Sequence, residues 1–300
     1  MRTIVIGASG QIGGWLARLA GDRGFDVTGT YATVPAAGLT RLDASDRIAA
    51  AHWLREQRGD VVLYPAGFTW VDGCEREPSR AHDANLEQPL NLARVVADQG
   101  GRFVYFSTDY VFDGVDGPYD EKAPTNPLSA YGRSKRDAEL RLAEILGDRL
   151  LIVRTSWVFG PERQGKNFGY QLMTSLAAGR EVVCPSDQRS SPSYGPDVAA
   201  TVLDLVERSI SGIVHVVGPE VVPRPEFARE IARAFGISDP PIVAKPTVDL
   251  GQGAPRPLSG GLIPARLAEL GIDPPRSLAD ACRDFRDRLR LETEWATTAL

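Results

Sequence analysis

The chain has 300 residues, 43% of them apolar and 24% charged, enough to bury the core of one large domain or two small ones. A formal net charge of −5 supplies no global attraction to phosphate backbones or anionic lipid, which argues against nucleic-acid and membrane partners. Cys74, Cys184 and Cys282 lie far apart with no Cys-x-x-Cys pair, so buried thiols are expected rather than a disulfide framework or a zinc knuckle. No apolar run approaches the ~18 residues of a membrane helix, and an apolar strand directly after Met1 and Arg2 leaves no room for a signal peptide. A cytoplasmic protein is expected.

Residues 3–6 are a short apolar run ending at Gly7-Ala8-Ser9-Gly10-Gln11-Ile12-Gly13, after which Trp15, Leu16, Leu19 and Ala20 recur at helical spacing. Strand, glycine turn and helix form the context of a dinucleotide fingerprint, spaced here as Gly-x-x-Gly-x-x-Gly. Gly7 can take the tight turn, Gly10 admits a pyrophosphate against the backbone, and Gly13 lets the helix pack close with its N-terminus toward the anion. Ser9, Gln11 and Ile12 between them join the cofactor set. A second strand, 26–31, ends Gly29-Thr30-Tyr31 without the carboxylate that would hold an unphosphorylated ribose, which favours NADPH over NADH and puts Thr30 at the ribose. Residues 39–42 read as a third strand leading to Asp43, a candidate for the adenine, with Ser45 or Asp46 capping a helix to about residue 57.

The fourth strand, 60–64, runs into Pro65-Ala66-Gly67, where ligands sit in open parallel sheets, so Ala66 and Gly67 join the cofactor set and Phe68 and Trp70 add bulk beside it. A long helix over 78–99 precedes a strand over 102–106 that ends Ser107-Thr108-Asp109-Tyr110, where the Thr108 hydroxyl can hydrogen-bond a carbonyl oxygen. Then comes Tyr131-Gly132-Arg133-Ser134-Lys135, on a helix capped by Ser129 and running to about 146. Four residues apart, the phenol and the ammonium share one face. A tyrosine titrating near about pH 10 is a weak acid at neutral pH, and a nearby lysine with the helix dipole is expected to lower it toward the useful range.

A strand over 150–154 completes the alternation, which argues an α/β fold with a doubly wound parallel, Rossmann sheet. Beyond Thr155 loops rich in Gly and Pro separate helices near 168–178, 197–209, 224–235 and 278–290, a smaller and discontinuous α/β substrate domain. Residues 1–157 and about 188–217 are assigned to the NADP-binding domain, and about 158–187 with 218–300 to the substrate domain. Gly160 to Lys166 imitates a P-loop, but Asn167 stands where magnesium needs Ser or Thr. Gln11 breaks a Gly-x-Ser-x-Gly elbow at Ser9, and His52, His82 and His215 have no metal-like or triad spacing, so no metal is expected.

With Gly7, Gly10, Gly13, Tyr131 and Lys135 together, the chain resembles an extended short-chain dehydrogenase/reductase. The run Ser107 to Gly114, Pro118-Tyr119 with Glu121, Tyr131-Gly132-x-Ser134-Lys135 with Glu139, Arg154 to Gly160, Asn167-Phe168, Asp187-Gln188 with Pro192, Asp197-Val198-Ala199 and Arg256-Pro257 resembles the dTDP-4-dehydrorhamnose reductase family over nearly the whole chain. The resemblance implies NADPH-dependent reduction of a 4-keto-6-deoxy sugar nucleotide by a monomer or homodimer. It implies Thr108, Tyr131 and Lys135 as the catalytic triad, Lys135 also on the nicotinamide ribose, and Trp157, Asn167 and Arg256 on the sugar-nucleotide side. The chain departs from the family at Tyr64-Pro65-Ala66, where Asn-Ala-Ala is common, and at Phe68 and Trp70, which replace small residues and imply a reshaped pocket. Trp15 stands where some members use a glutamate to bridge a metal-linked dimer, so neither that metal nor that dimer carries over. The chain is also similar to the regulatory beta subunit of methionine adenosyltransferase, which makes a non-catalytic dinucleotide-binding protein the alternative.

Overall fold

A computed structural model describes the backbone of residues 1–298 and the side chains of residues 1–289. Its main sheet has seven parallel strands: β1 (Arg2–Val5), β2 (Asp26–Tyr31), β3 (Thr40–Arg41), β4 (Val61–Tyr64), β5 (Arg102–Thr108), β6 (Leu150–Thr155) and β7 (Gly212–His215). They lie in the order β7-β6-β5-β4-β1-β2-β3, so the chain reverses direction across the sheet between β1 and β4. The central strands β1, β4, β5 and β6 are covered on both faces and read as largely apolar runs for that reason. Along β4, Val62 and Tyr64 face one core with Ala50, Leu54, Leu90 and Leu142, while Val61 and Leu63 face the other with Leu16, Ala20, Val198 and Val202.

Six expected strands are present with small differences at their ends, and β7 is an addition. Its four residues begin with a glycine at φ +80° and carry too short a pattern to stand out in sequence. The expected single helix over 78–99 is interrupted: helices Pro78–His82 and Gln88–Asp98 are joined by a π-helical turn, Asp83–Glu87. That turn is tied down by Asn85, whose carbonyl accepts from the Tyr105 hydroxyl at 2.7 Å. A wide turn of this kind is a frequent mark of a functional region.

A separate apolar cluster beyond the sheet gathers Phe159, Leu172, Cys184, Tyr194, Phe227, Ile231, Cys282 and Phe285. All three cysteines are buried free thiols. Among the described residues no helix is long and apolar enough to cross a membrane.

Between β5, β6 and β7 the sheet register aligns Ser107 with Arg154 and Arg154 with His215. His215 is fully buried, its Nδ1 donating to the Ile263 carbonyl at 3.1 Å. Burial first and the Arg154 charge second push its imidazole down to about 3. Below about pH 6.5 an unfolded chain takes up a proton that the folded chain refuses, so stability falls as pH drops toward about 3. The melting temperature of the protein should therefore decline steadily across that window. His215→Asn, which keeps a donor for Ile263, should flatten the decline; an unchanged slope would show that other groups control acid unfolding.

Candidate active site

The reversal between β1 and β4 opens a crevice at their carboxyl ends, the place where doubly wound sheets bind ligands. The glycine loop lies on one side and Pro65-Ala66-Gly67 on the other, so close that a Cβ added at Gly7 would stand 3.1 Å from that of Ala66. Gly7 has φ +92°, a conformation that favours glycine. A Cβ at Gly13 would meet the Gly7 carbonyl oxygen at 2.1 Å, so only hydrogen fits between helix Gln11–Asp22 and the loop. That helix has no side-chain cap at Gly10 and no acid in its first turn, and the Gln11 Nε2 is buried without a partner among the described residues. Its N-terminal N–H groups are thus available to an anion.

The crevice encloses about 820 Å³ and is lined by Ser9, Gly10, Gln11, Ile12, Ala66, Gly67, Phe68, Trp70, Thr108, Tyr131, Lys135, Trp157 and Asn167, among others. Sequence reasoning placed all of these at the site. Thr30 and Asp43 are elsewhere. The Thr30 hydroxyl is buried under the loop, accepting from the Gly7 amide at 3.2 Å and donating to the Val5 carbonyl at 3.4 Å, because side chains alternate along β2 and this one points inward. Ala32, Thr33 and Val34, just beyond the strand, line the crevice instead. Asp43 is exposed, and hydrogen bonds from the Ser45 hydroxyl and amide occupy its carboxylate and hold it below the usual range. It forms a local turn.

Ser129 caps helix Ala130–Leu146 by accepting from the Gly132 amide at 3.2 Å, which sets Tyr131 in the first turn. The fit is tight, since a Cβ at Gly132 would lie 2.1 Å from the Tyr110 carbonyl oxygen. The Tyr131 phenol hydrogen-bonds Thr108, and its ring meets that of Tyr110 edge-on at 5.6 Å. Burial pushes the phenol above its ordinary value, and the Thr108 hydrogen bond opposes this. The expected downward shift is absent because burial, with Asp109 adding to it, outweighs the Thr108 hydrogen bond. Lys135 Nζ sits 4.1 Å from the centre of the Tyr105 ring, and burial brings the amine down to about 7 while Glu139 opposes.

Two buried groups fix these side chains. Asn85 donates to Ser134 Oγ at 3.1 Å and to the Phe68 carbonyl at 3.0 Å, and accepts from the Phe68 amide at 2.8 Å, so the π-helical turn clamps the loop after β4 to the helix that bears Lys135. Asp109 accepts from Ser156 and Ser190, each at 2.7 Å, and from Thr108 at 3.1 Å. Burial raises its carboxyl above the usual range against those donors. Neither residue was singled out from the sequence. Asn85 could have been, as a polar residue inside an apolar helical pattern; Asp109 had no signal beyond its neighbour Thr108.

A second cavity of about 400 Å³ shares Tyr110, Trp157 and Val158 with the crevice and is lined further by Phe168, Cys184, Gln188, Arg224, Gln252 and Arg256. Trp157 stands between the two at φ +40°, a strained value for its type, stacked on Phe227 at 5.9 Å. Arg256 donates to Asp72 at 2.9 Å and to the Ala254 carbonyl at 2.9 Å. Asn167 is occupied as a helix cap, accepting from the Gly169 amide at 3.0 Å and donating to the Gly160 carbonyl at 2.8 Å.

The departures noted in sequence separate here. Tyr64 is a core residue, stacked on Phe103 at 5.8 Å and Tyr105 at 6.4 Å, and does not line the crevice. Phe68 and Trp70 do, both resting on Gly73, with Trp70 53% exposed at the rim. Trp15 donates to the Pro161 carbonyl at 2.7 Å and holds the neighbouring loop. The Gln164 side chain of that loop reaches the Ser9 carbonyl at 3.1 Å, so the false P-loop lies over the true glycine loop.

A family model described as the RmlD substrate binding domain matches residues 1–291. The chain belongs to this family. It is 33% identical over 283 residues to a probable low-salt glycan biosynthesis reductase of Haloferax volcanii, covering 92% of this chain and 94% of that one. It is 34% identical over 289 residues to the dTDP-4-dehydrorhamnose reductase of Mycolicibacterium smegmatis, covering 94% and 84%. The crystal structure of a Bacillus anthracis dTDP-4-dehydrorhamnose reductase in complex with NADP superposes with a TM-score of 0.86 at 28% identity, covering 95% and 98%. RmlD-family membership thus coincides with a glycine crevice joined to a second cavity through Trp157.

Proposed function

We propose that the protein is an NADPH-dependent reductase of a nucleotide-linked 4-keto-6-deoxy sugar. The observation that carries this reading is the meeting of Thr108, Tyr131 and Lys135 in a glycine-loop crevice that shares Tyr110, Trp157 and Val158 with a second, arginine-bearing cavity. Relatives in the family are named dTDP-4-dehydrorhamnose reductases. A purely regulatory role is not favoured, since the acid, the lysine and the hydroxyl are all retained in one cleft.

NADPH, when bound, supplies the hydride. The glycine loop and the uncapped helix N-terminus fit its pyrophosphate, the Ala32–Val34 segment its adenosine end, and Ala66 and Gly67 its inner face. Thr108 orients the keto oxygen of the sugar by hydrogen bonding, and Tyr131 gives that oxygen its proton as charge develops. The raised affinity of the buried phenol for its proton keeps it in the acid form at neutral pH. Lys135 holds the nicotinamide ribose. Phe68 and Trp70 shape the sugar end, and Trp157 packs on the sugar nucleotide where the cavities join. Asn167 acts by holding the loop around it. In this reading 1–157 and about 188–217 carry the cofactor, and 158–187 with 218–300 carry the sugar nucleotide.

The test is a panel of nucleotide-linked 4-keto sugars. NADPH should be consumed with one or more of them and not with the free sugars; no consumption with any would reject the reading. Cofactor preference gives a separate test. NADPH should bind more tightly than NADH, and Thr33→Asp should weaken NADPH roughly tenfold or more by setting a carboxylate against its 2′-phosphate. Equal affinities for both cofactors in the unaltered protein would contradict the preference.

A further inference from the structure

The second cavity contains two arginines in very different electrostatic states. Arg256 is already compensated: Asp72 takes its Nη2 at 2.9 Å, and the Ala254 carbonyl takes Nη1. Burial pushes the Asp72 carboxyl up, but the Arg256 and Ala254 hydrogen bonds outweigh it, so the carboxyl ends below its usual value and the pair stays ionic. Asp72 follows Trp70 by two residues, and the same carboxylate accepts from the Ala254 amide at 3.0 Å. Arg256 and Asp72 together therefore strap the segment around Ala254 to the loop that carries Phe68 and Trp70.

Arg224 has no such partner. No carboxylate among the described residues forms an ion pair with it, and its guanidinium is packed among rings, 3.7 Å from the centre of Phe168, 4.5 Å from Trp157 and 5.5 Å from Phe227. It lines the cavity together with Gln188, Tyr110 and Cys184. Burial lowers its pKa to about 10, still far enough above neutrality to keep the charge. Aromatic faces attract a cation but leave the N–H groups around its rim without acceptors. The side chain is half-buried with its rim open to the cavity, and a charge held there without a carboxylate partner is one that a ligand can complete.

We propose that Arg224 is the principal anchor for the diphosphate of the nucleotide-linked substrate, with Arg256 serving mainly as the strap that closes the site. This rests on the nucleotide-sugar reading above. A guanidinium suits two phosphoryl oxygens because its fork can donate to both at once. With its plane held by Trp157 and Phe168, the fork is oriented before substrate arrives, and the indole that orients it is one of the residues shared with the crevice. The diphosphate is thereby fixed at a set distance from Tyr131, which carries the keto carbon to the acid.

The experiment compares the unaltered protein with Arg224→Met, Arg224→Lys and Arg256→Met, using dTDP and thymidine as probes and melting temperature as a control on folding. Charge-assisted hydrogen bonds of this kind imply a loss of dTDP affinity of roughly 10- to 100-fold in Arg224→Met, with a smaller loss in Arg224→Lys. Thymidine and NADPH binding should be nearly unchanged. Without dTDP the Met variant should melt no lower than the unaltered protein, since it removes a half-buried charge that has no carboxylate partner among the described residues. The added stability from dTDP should shrink. For turnover, Arg224→Met should raise KM far more than it lowers kcat. Unchanged dTDP affinity in Arg224→Met, or a loss no greater than that of Arg256→Met, would overturn the assignment while leaving the reductase reading intact. A dTDP-free Met variant that melts well below the unaltered protein would mean that Arg224 is a structural cation, also overturning it. Failure of the unaltered protein to bind any nucleoside diphosphate would overturn both.

Discussion

Tyr131→Phe should cut turnover on a nucleotide-linked keto sugar by about 10²- to 10⁴-fold, the usual contribution of a positioned general acid. The substitution removes one oxygen and leaves the surroundings satisfied. Thr108 Oγ1 still donates to Asp109 at 3.1 Å and accepts from the Tyr110 amide at 3.2 Å. The ring keeps its edge-on packing against Tyr110, so neither folding nor the glycine loop is disturbed. NADPH affinity, measured by titration, should be nearly intact, which separates loss of the acid from loss of the cofactor. Turnover equal to that of the unaltered enzyme would remove Tyr131 from the mechanism. Substituting Thr108 would be a poorer test, because its hydroxyl also serves the buried Asp109.

Arg154→Met should destabilise the fold by roughly 3–5 kcal/mol, the usual cost of breaking a buried ion pair from one side. Arg154 and Glu139 meet in two hydrogen bonds, of 2.9 and 2.6 Å, and both side chains are almost wholly buried. Removing the guanidinium strands a carboxylate one helical turn beyond Lys135, on the element that also bears Tyr131. Denaturant unfolding of Arg154→Met, Glu139→Leu and the pair together measures the coupling. The double variant should recover most of the loss, since packing two apolar side chains there removes both charges at once. A loss below about 1 kcal/mol in Arg154→Met would place the pair among weak surface contacts, against its burial.

The parts of the site that were legible in the sequence are those written in local chemistry. Gly7, Gly10 and Gly13 announce a loop because only hydrogen fits where a Cβ would strike the backbone. Ser129 and Tyr131 announce a capped helix carrying an acid near its start. Thr30 and Asp43 were misplaced because their roles depend on which way a strand residue faces and on a turn two residues long, neither of which a strand assignment fixes. Asn85 showed in sequence only as a polar residue within an apolar helical pattern, and its clamping role depends on the π-helical turn, which breaks the 3.6 spacing. The phenol of Tyr131 was expected to shift down because charges can be seen in a sequence; burial, which shifts it up, cannot. Likewise, Arg256 was visible through its motif, whereas Arg224 becomes notable only once the fold gives it three aromatic neighbours and no carboxylate.

The central claim, that this cleft reduces the keto carbon of a nucleotide-linked sugar, is tested most directly by following the transferred hydrogen. The protein is incubated with dTDP-4-dehydrorhamnose and NADPH that carries deuterium at the reactive carbon of its nicotinamide, and the sugar nucleotide is analysed by mass spectrometry and NMR. The expected result is deuterium on the former carbonyl carbon in step with NADPH consumption, and only trace transfer by Tyr131→Phe. Tight binding of this sugar nucleotide with no transfer of deuterium, by protein that also binds NADPH, would contradict it.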